Sequence, residues 1–178
     1  MLISEPYRAL QRQMHETTEY GVASQHFAKL VARVMNMYSI TELLDYGAGS
    51  RLTLIHTINA DKLVDHPFRY TPYEPAVEEY AAVPEPTEMV ACLDVLEHIE
   101  PELIDNVLDD LARVTKRCGV FSVACVPAMK TLPDGRNAHL IQQPPEWWLP
   151  KLMERFELQT YQMNQEGFVI LCTPKEFQ

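Results

Sequence analysis

The stretch that most constrains this chain is Leu43-Leu44-Asp45-Tyr46-Gly47-Ala48-Gly49-Ser50. Two apolar residues run into an acid, and two glycines then alternate with other residues before a helical pattern begins at Arg51. A buried parallel strand ends in this way, at a tight turn whose backbone comes close to a ligand. Glycine lacks a Cβ and tolerates positive φ, so it permits that approach. In open α/β sheets ligands sit outside the carboxyl ends of the strands, where this turn would lie.

Ahead of the turn, Ser4 is placed to cap a first helix, with Pro6 in its opening turn and Tyr7, Leu10 and Met14 along one face. Gly21 breaks that helix and Ser24 caps a second, in which Phe27, Leu30, Val31, Val34 and Met35 keep helical spacing. Residues 1–40 are thus two helices that cover either the sheet or the ligand site, and their apolar faces favour core packing. Residues 41–178 form one compact unit, the whole chain of 178 residues being of single-domain size.

The first strand is Glu42 to Asp45, and after the turn a helix runs from Arg51 to Asn59. Pro67 to Tyr73 reads as a second strand, followed by a short helix from Pro75 through Tyr80. Glu88 to Asp94 is a continuous apolar run closing on an acid, as central parallel strands do. Pro101 opens an amphipathic helix carrying Leu103, Ile104, Val107, Leu108, Leu111 and Val114, with Lys116 and Arg117 near its end and Gly119 terminating it. Val120 to Val126 is the next buried strand. Beyond a proline-rich loop, Pro150 starts a short helix, and Glu157 to Met163 and Phe168 to Cys172 form an antiparallel hairpin. The class is α/β: a doubly wound, mostly parallel sheet with an antiparallel C-terminal hairpin.

A net charge of −10 disfavours strong nonspecific binding to nucleic acid, and no apolar run is long enough to span a membrane. Glu5, Arg8 and Arg12 stand where a secretory signal would be apolar. Cys92, Cys118, Cys125 and Cys172 form no C-x-x-C pair, and three of them sit in apolar runs, so they read as core residues of a cytoplasmic protein.

Four pieces, in order, make the chain resemble a class I S-adenosylmethionine-dependent methyltransferase. Asp45-Tyr46-Gly47-Ala48-Gly49 resembles that family's D-x-G-x-G loop; Glu74 resembles the acid closing its second strand; Cys92 to Ile99 resembles its fourth-strand motif ending Leu-Glu-His-Ile; and the terminal hairpin is the family's sheet edge. The resemblance implies methyl transfer to a hydroxyl or amine, with S-adenosyl-L-methionine bound by Asp45, Gly47, Ala48, Gly49, Glu74, Pro75, Asp94 and Val95. Loop amides and a helix N-terminus suit the cofactor's carboxylate, Asp45 its ammonium, and the two oxygens of Glu74 a vicinal diol. The alternative for Glu74 is an exposed loop acid beside Glu78 and Glu79. The chain departs from the family in two places. Arg51 stands where a third glycine is common. Fourteen residues between Glu74 and Met89 leave no room for the usual third strand and its helices. A nicotinamide-dinucleotide fold competes less well, because Leu52 occupies the last position of G-x-G-x-x-G. A noncatalytic cofactor-binding module acting as a partner of another protein is the second functional reading.

Asp94, Glu97 and His98 fall at i, i+3 and i+4, and would share a face if the segment made one helical turn. With His139 they form a set of two carboxylates and two imidazoles suited to a divalent metal ion, similar to the metal-dependent branch of the family. The alternative is that Glu97 and His98 cap the next helix and His139 is a loop residue. Without metal, His98 or His139 would serve as general base, with Glu97 beside them. Trp147 and Trp148 are placed either to stack on a planar, small or nucleotide-like acceptor or to anchor the last helix. His15, His26, His56 and His66 show no convergent partners in the sequence. Tyr20-Gly21 is positioned to close the cofactor site.

Overall fold

The computed structural model describes residues 1–16 and 20–175. Its strands are β1 Glu42–Tyr46, β2 Arg69–Tyr73, β3 Thr87–Leu93, β4 Thr115–Ala124, β5 Phe156–Met163 and β6 Gly167–Pro174. They form one sheet in the order β2-β1-β3-β4-β6-β5. The first four strands are parallel, and β6 pairs antiparallel with both β4 and β5. The helices are α1 Glu5–His15, α2 Ala28–Tyr38, α3 Thr53–Ala60, α4 Ile104–Val114 and α5 Pro145–Arg155.

Both faces of the central strands β1, β3 and β4 are buried, and side-chain alternation sorts their residues between the two faces. Leu44, Val90, Cys92, Phe121 and Val123 pack on one face with α4 and α5. Their neighbours Leu43, Met89, Ala91 and Val120 pack on the other with α2 and α3. The expected doubly wound sheet is present, and β2 leads to β3 through a segment holding only one 3₁₀ turn, Glu78–Tyr80. The absent strand leaves β2 at the sheet edge with Pro72 inside it, a position where a missing N–H is tolerated.

The two leading helices divide the roles left open by their sequence. α2 buries Val31, Val34 and Met35 against α3 and the sheet. α1 instead packs Tyr7 and Met14 with Tyr20, Leu132 and Ala138, above the carboxyl ends of the strands. Ser4 caps α1 as expected, accepting a hydrogen bond from the Tyr7 amide.

Several local expectations are corrected. Ser24 does not cap α2; it lies in the 3₁₀ turn Ala23–Phe27, its hydroxyl 2.9 Å from Thr53 Oγ1. The short helix expected from Pro75 is the single turn Glu78–Tyr80, because Glu74 takes the Ala76 amide on its side chain and the Val77 amide on its carbonyl. The amphipathic helix ends at Val114, not Gly119. The Thr115 hydroxyl turns back to Leu111 O, and β4 starts at once. Lys116 and Arg117 therefore lie on a strand, where Arg117 pairs with Glu88 of β3 at 3.2 Å. Gly119 sits inside β4 because the Phe121 ring fills the space a side chain would need. Pro150 is interior to α5, which begins at Pro145; burial of Trp148 and Leu152 on either side of the proline holds the helix together.

Candidate active site

The turn after β1 is built on the end of β2. Gly47 N and Ala48 N both donate to Tyr73 O, at 2.8 and 3.0 Å. Gly49 N donates to Glu74 Oε2 at 3.3 Å, and Ala76 N to Glu74 Oε1 at 3.1 Å. Three amides that the sequence suggests for a ligand carboxylate thus have protein partners. Gly47 has φ +83°, and a Cβ there would collide with the Val95 side chain, so the residue is demanded by the approach of the post-β3 segment. Gly49, at φ +63°, abuts Gly21 O and the His15 ring. Arg51 is exposed; the left-handed residue near the helix start is Leu52, with φ 49°, so no third glycine is required.

A cavity of about 340 Å³ opens above these strand ends, within the usual range of small-molecule sites. Gly47, Glu74, Pro75, Asp94, Val95, His98 and His139 line it, as do Tyr20 and Gly21. The structure therefore brings together most of the residues nominated from sequence. Asp45, Ala48, Gly49 and Glu97 lie behind the wall. Asp45 is buried and accepts a 2.7 Å hydrogen bond from the Tyr70 hydroxyl, and burial pushes its carboxyl up to about 7. Glu74 is also raised by burial, against the pull of its two amide donors.

Asp94 closes β3 in a left-handed conformation, φ 61°, with its amide held by Ser122 Oγ at 2.9 Å. The chain then makes a 3₁₀ turn, Leu96–His98, rather than an α-helical turn, and this breaks up the expected set of three. Glu97 points inward, and its carboxyl accepts the Ala124 amide at 2.6 Å. Burial, and then the Asp94 charge, push Glu97 far above the usual carboxylate range. It anchors the motif to β4 and stands outside the group that faces the cavity.

Asp94, His98 and His139 do converge, with ligand-competent atoms all within 4.8 Å of one another. His98 Nδ1 lies 2.8 Å from Ala138 O, and His139 Nδ1 lies 2.6 Å from Val126 O. A carbonyl oxygen only accepts, so Nδ1 carries the proton in each ring and Nε2 is left to face the cavity. Burial lowers His98 to about 4.

α1 roofs the cavity with Tyr7, Gln11 and His15. The Tyr7 hydroxyl donates to His98 O at 2.6 Å while accepting from Gln11, and Tyr20 OH donates to Gln11 Oε1 at 2.8 Å. Ser4 N donates to Glu100 Oε2 at 2.8 Å. His15, which shows no convergent partner in sequence, is buried with Nε2 3.7 Å from Glu74 Oε2. The available signal was Gln11, a polar residue on the same stripe as Tyr7 and Met14. Trp147 and Trp148 are not on the cavity wall. Trp148 is fully buried and donates to Gln143 O, and Trp147 packs edge-on against it beneath the Lys151 ammonium. Cys92, Cys118 and Cys172 are buried and Cys125 is half-buried, all as free thiols.

No family model and no curated protein matches the chain. Among solved structures it is similar to the 1,6-didemethyltoxoflavin N1-methyltransferase of Burkholderia thailandensis, bound to 1,6-didemethyltoxoflavin and S-adenosylhomocysteine. That match has TM-score 0.63 and 14% identity, and covers 99% of this chain and 92% of that one. The magnesium protoporphyrin IX methyltransferase of Synechocystis PCC 6803, with S-adenosylmethionine bound, matches at TM-score 0.57 and 14% identity, over 89% of this chain and 86% of that one. Mitomycin 7-O-methyltransferase matches at TM-score 0.60 and 14% identity, over 85% of this chain and 54% of that one, so the chain spans about half its length. The fold is that of the class I S-adenosylmethionine-dependent methyltransferases. Among the described residues, no helix is long and apolar enough to cross a membrane.

Proposed function

We propose that the chain transfers a methyl group from S-adenosylmethionine to a hydroxyl or amine of a small acceptor. The observation that carries this reading is the placement of Glu74 and Gly47 at adjacent strand ends, on the wall of one cavity that also exposes the Asp94, His98 and His139 group. Within this fold, a two-oxygen acceptor at the end of β2 suits a ribose diol. Gly47, whose missing side chain makes room for Val95, lines the same wall beside it.

Bound there, the cofactor would supply an electrophilic methyl on a sulfonium sulfur. Glu74 would hold its ribose, with Pro75 and Val95 as apolar walls. Asp45, behind the wall, would act on the ammonium through its charge rather than by contact. The α1 roof partly covers the site, which would limit the acceptor to a small molecule. His98 is neutral at physiological pH, so its Nε2 is competent to take the proton that a hydroxyl or amine gives up. Holding acceptor and methyl in line supplies a further share of the rate.

Metal assistance is the finer reading, and one observation favours it: both imidazoles have Nδ1 bound to backbone carbonyls, the arrangement that fixes a metal-ligating histidine. Asp94, His98 and His139 are the fitting ligands. A divalent ion there would lower the pKa of an acceptor hydroxyl.

Calorimetric titration with S-adenosylmethionine and S-adenosylhomocysteine tests the first step. Release of S-adenosylhomocysteine in the presence of small hydroxyl- and amine-bearing acceptors tests the second. Failure of both cofactor forms to bind below millimolar concentration would refute the proposal. Tight binding with no turnover on any acceptor would support the noncatalytic module instead.

A further inference from the structure

The α1 roof ends on His15, whose side chain is buried at the edge of the cavity. The His15 side chain is only 7% exposed, yet its Nδ1 has no hydrogen-bond partner among the described residues. Leaving a buried polar atom unsatisfied costs stability, so such atoms are rare unless a ligand completes them. The ring rests on Gly21 and Gly49, where added Cβ atoms would lie 3.5 and 3.6 Å from its Cε1, and packs edge-on against Tyr20 at 5.1 Å. Its Nε2 lies 3.7 Å from Glu74 Oε2, too far for a direct hydrogen bond. Burial lowers its pKa to about 4, so the ring is a neutral imidazole with one donor and one acceptor.

Glu74 and His15 thus face one another on the cavity wall: a carboxylate that only accepts and an imidazole that does both. A ribose diol has the complementary chemistry, since each hydroxyl donates once and accepts as well. We infer that His15 is a second ribose-binding residue, supplied by the N-terminal helix and acting with Glu74, so that α1 closes on the cofactor through it. This rests on the methyltransferase reading and deepens it.

The test is calorimetric binding of S-adenosylhomocysteine and of its 2′,3′-dideoxyribose analogue to the wild type, His15→Met and His15→Gln, with thermal unfolding of each cofactor-free protein. The expected result is about a tenfold loss of S-adenosylhomocysteine affinity in His15→Met and a smaller loss in His15→Gln, whose amide also donates and accepts. Affinity for the dideoxy analogue should be unchanged in both. Cofactor-free His15→Met should melt at or above the wild-type temperature, because an orphaned polar atom has been removed from the interior. Equal affinities in wild type and variants, or equal losses for both ligands, would overturn the inference while the methyltransferase reading stands. A wild type that binds neither ligand would overturn both. A drop in melting temperature with unchanged affinity would make His15 a packing residue only.

Discussion

The rings of His98 and His139 meet edge to face, with centroids 4.8 Å apart and planes at 84°. One follows the end of β3 and the other sits on the loop after β4, and each is held by a backbone carbonyl at Nδ1. The two carbonyls fix the ring orientations, and the rings stand together with Asp94, their ligand-competent atoms within 4.8 Å of one another.

If that site holds a divalent ion, His139→Ala removes it without touching the ribose end of the cavity. Titration with Zn²⁺ and Mn²⁺ should show one strong site in the wild type and at least a tenfold weaker one in the variant. S-adenosylhomocysteine affinity should stay within about twofold. Wild-type protein that takes up neither ion, with turnover indifferent to chelators, would leave His98 as the base.

Asp45 predicts a pH dependence of stability. Its carboxyl, raised by burial from 3.8 to about 7, binds a proton more tightly in the folded chain than in the unfolded one. The folded state therefore holds more protons between roughly pH 4 and 7, and Asp45's contribution is complete below that window and lost as pH rises through it. The shift corresponds to roughly 4 kcal/mol. Asp45→Asn should lack this component, so its urea midpoint relative to wild type should climb from pH 4.5 to pH 7.5. A constant difference across that range would show that Asp45 does not titrate there.

Gly47→Ala combines two penalties: positive φ, about 1–2 kcal/mol, and a clash with Val95. Val95→Ala in the same chain should relieve the clash and leave the backbone cost. A double-mutant cycle in denaturant should then show favourable coupling between the two positions. Strict additivity would mean that the turn moves away from Val95 instead.

The Tyr7 hydroxyl ties the roof to the floor through His98 O and Gln11. Tyr7→Phe leaves two buried polar partners unmatched and should cost about 1–3 kcal/mol. It should also speed hydrogen exchange in α1 more than in α4. Uniform acceleration across both helices would argue that α1 does not open separately.

Much of the strand framework was legible in sequence because burial imposes simple patterns. Met89 to Leu93 is apolar throughout since both faces of β3 are covered, and the short Glu74 to Met89 connection excludes the missing strand on length alone. Errors gathered where one residue's local preference met a tertiary contact. Pro150 looks like a helix start, but Trp148 and Leu152 are both buried and α5 runs through it. Gly119 looks like a helix stop, but its missing side chain makes room for Phe121.

The candidate site divides along the same line. Local sequence sufficed for the glycine turn, for Glu74 at a strand end and for the Asp94 to His98 motif, because each depends on a strand ending at that residue. The direction each side chain takes beyond its strand was decided only by the folded chain. A 3₁₀ turn sends Glu97 to Ala124 and leaves Asp94 with His98; the loop after β4 carries His139 to them; and α1, remote in sequence, sets His15 against Glu74. Such pairings depend on the relative placement of segments distant in the chain, and no local periodicity encodes that placement.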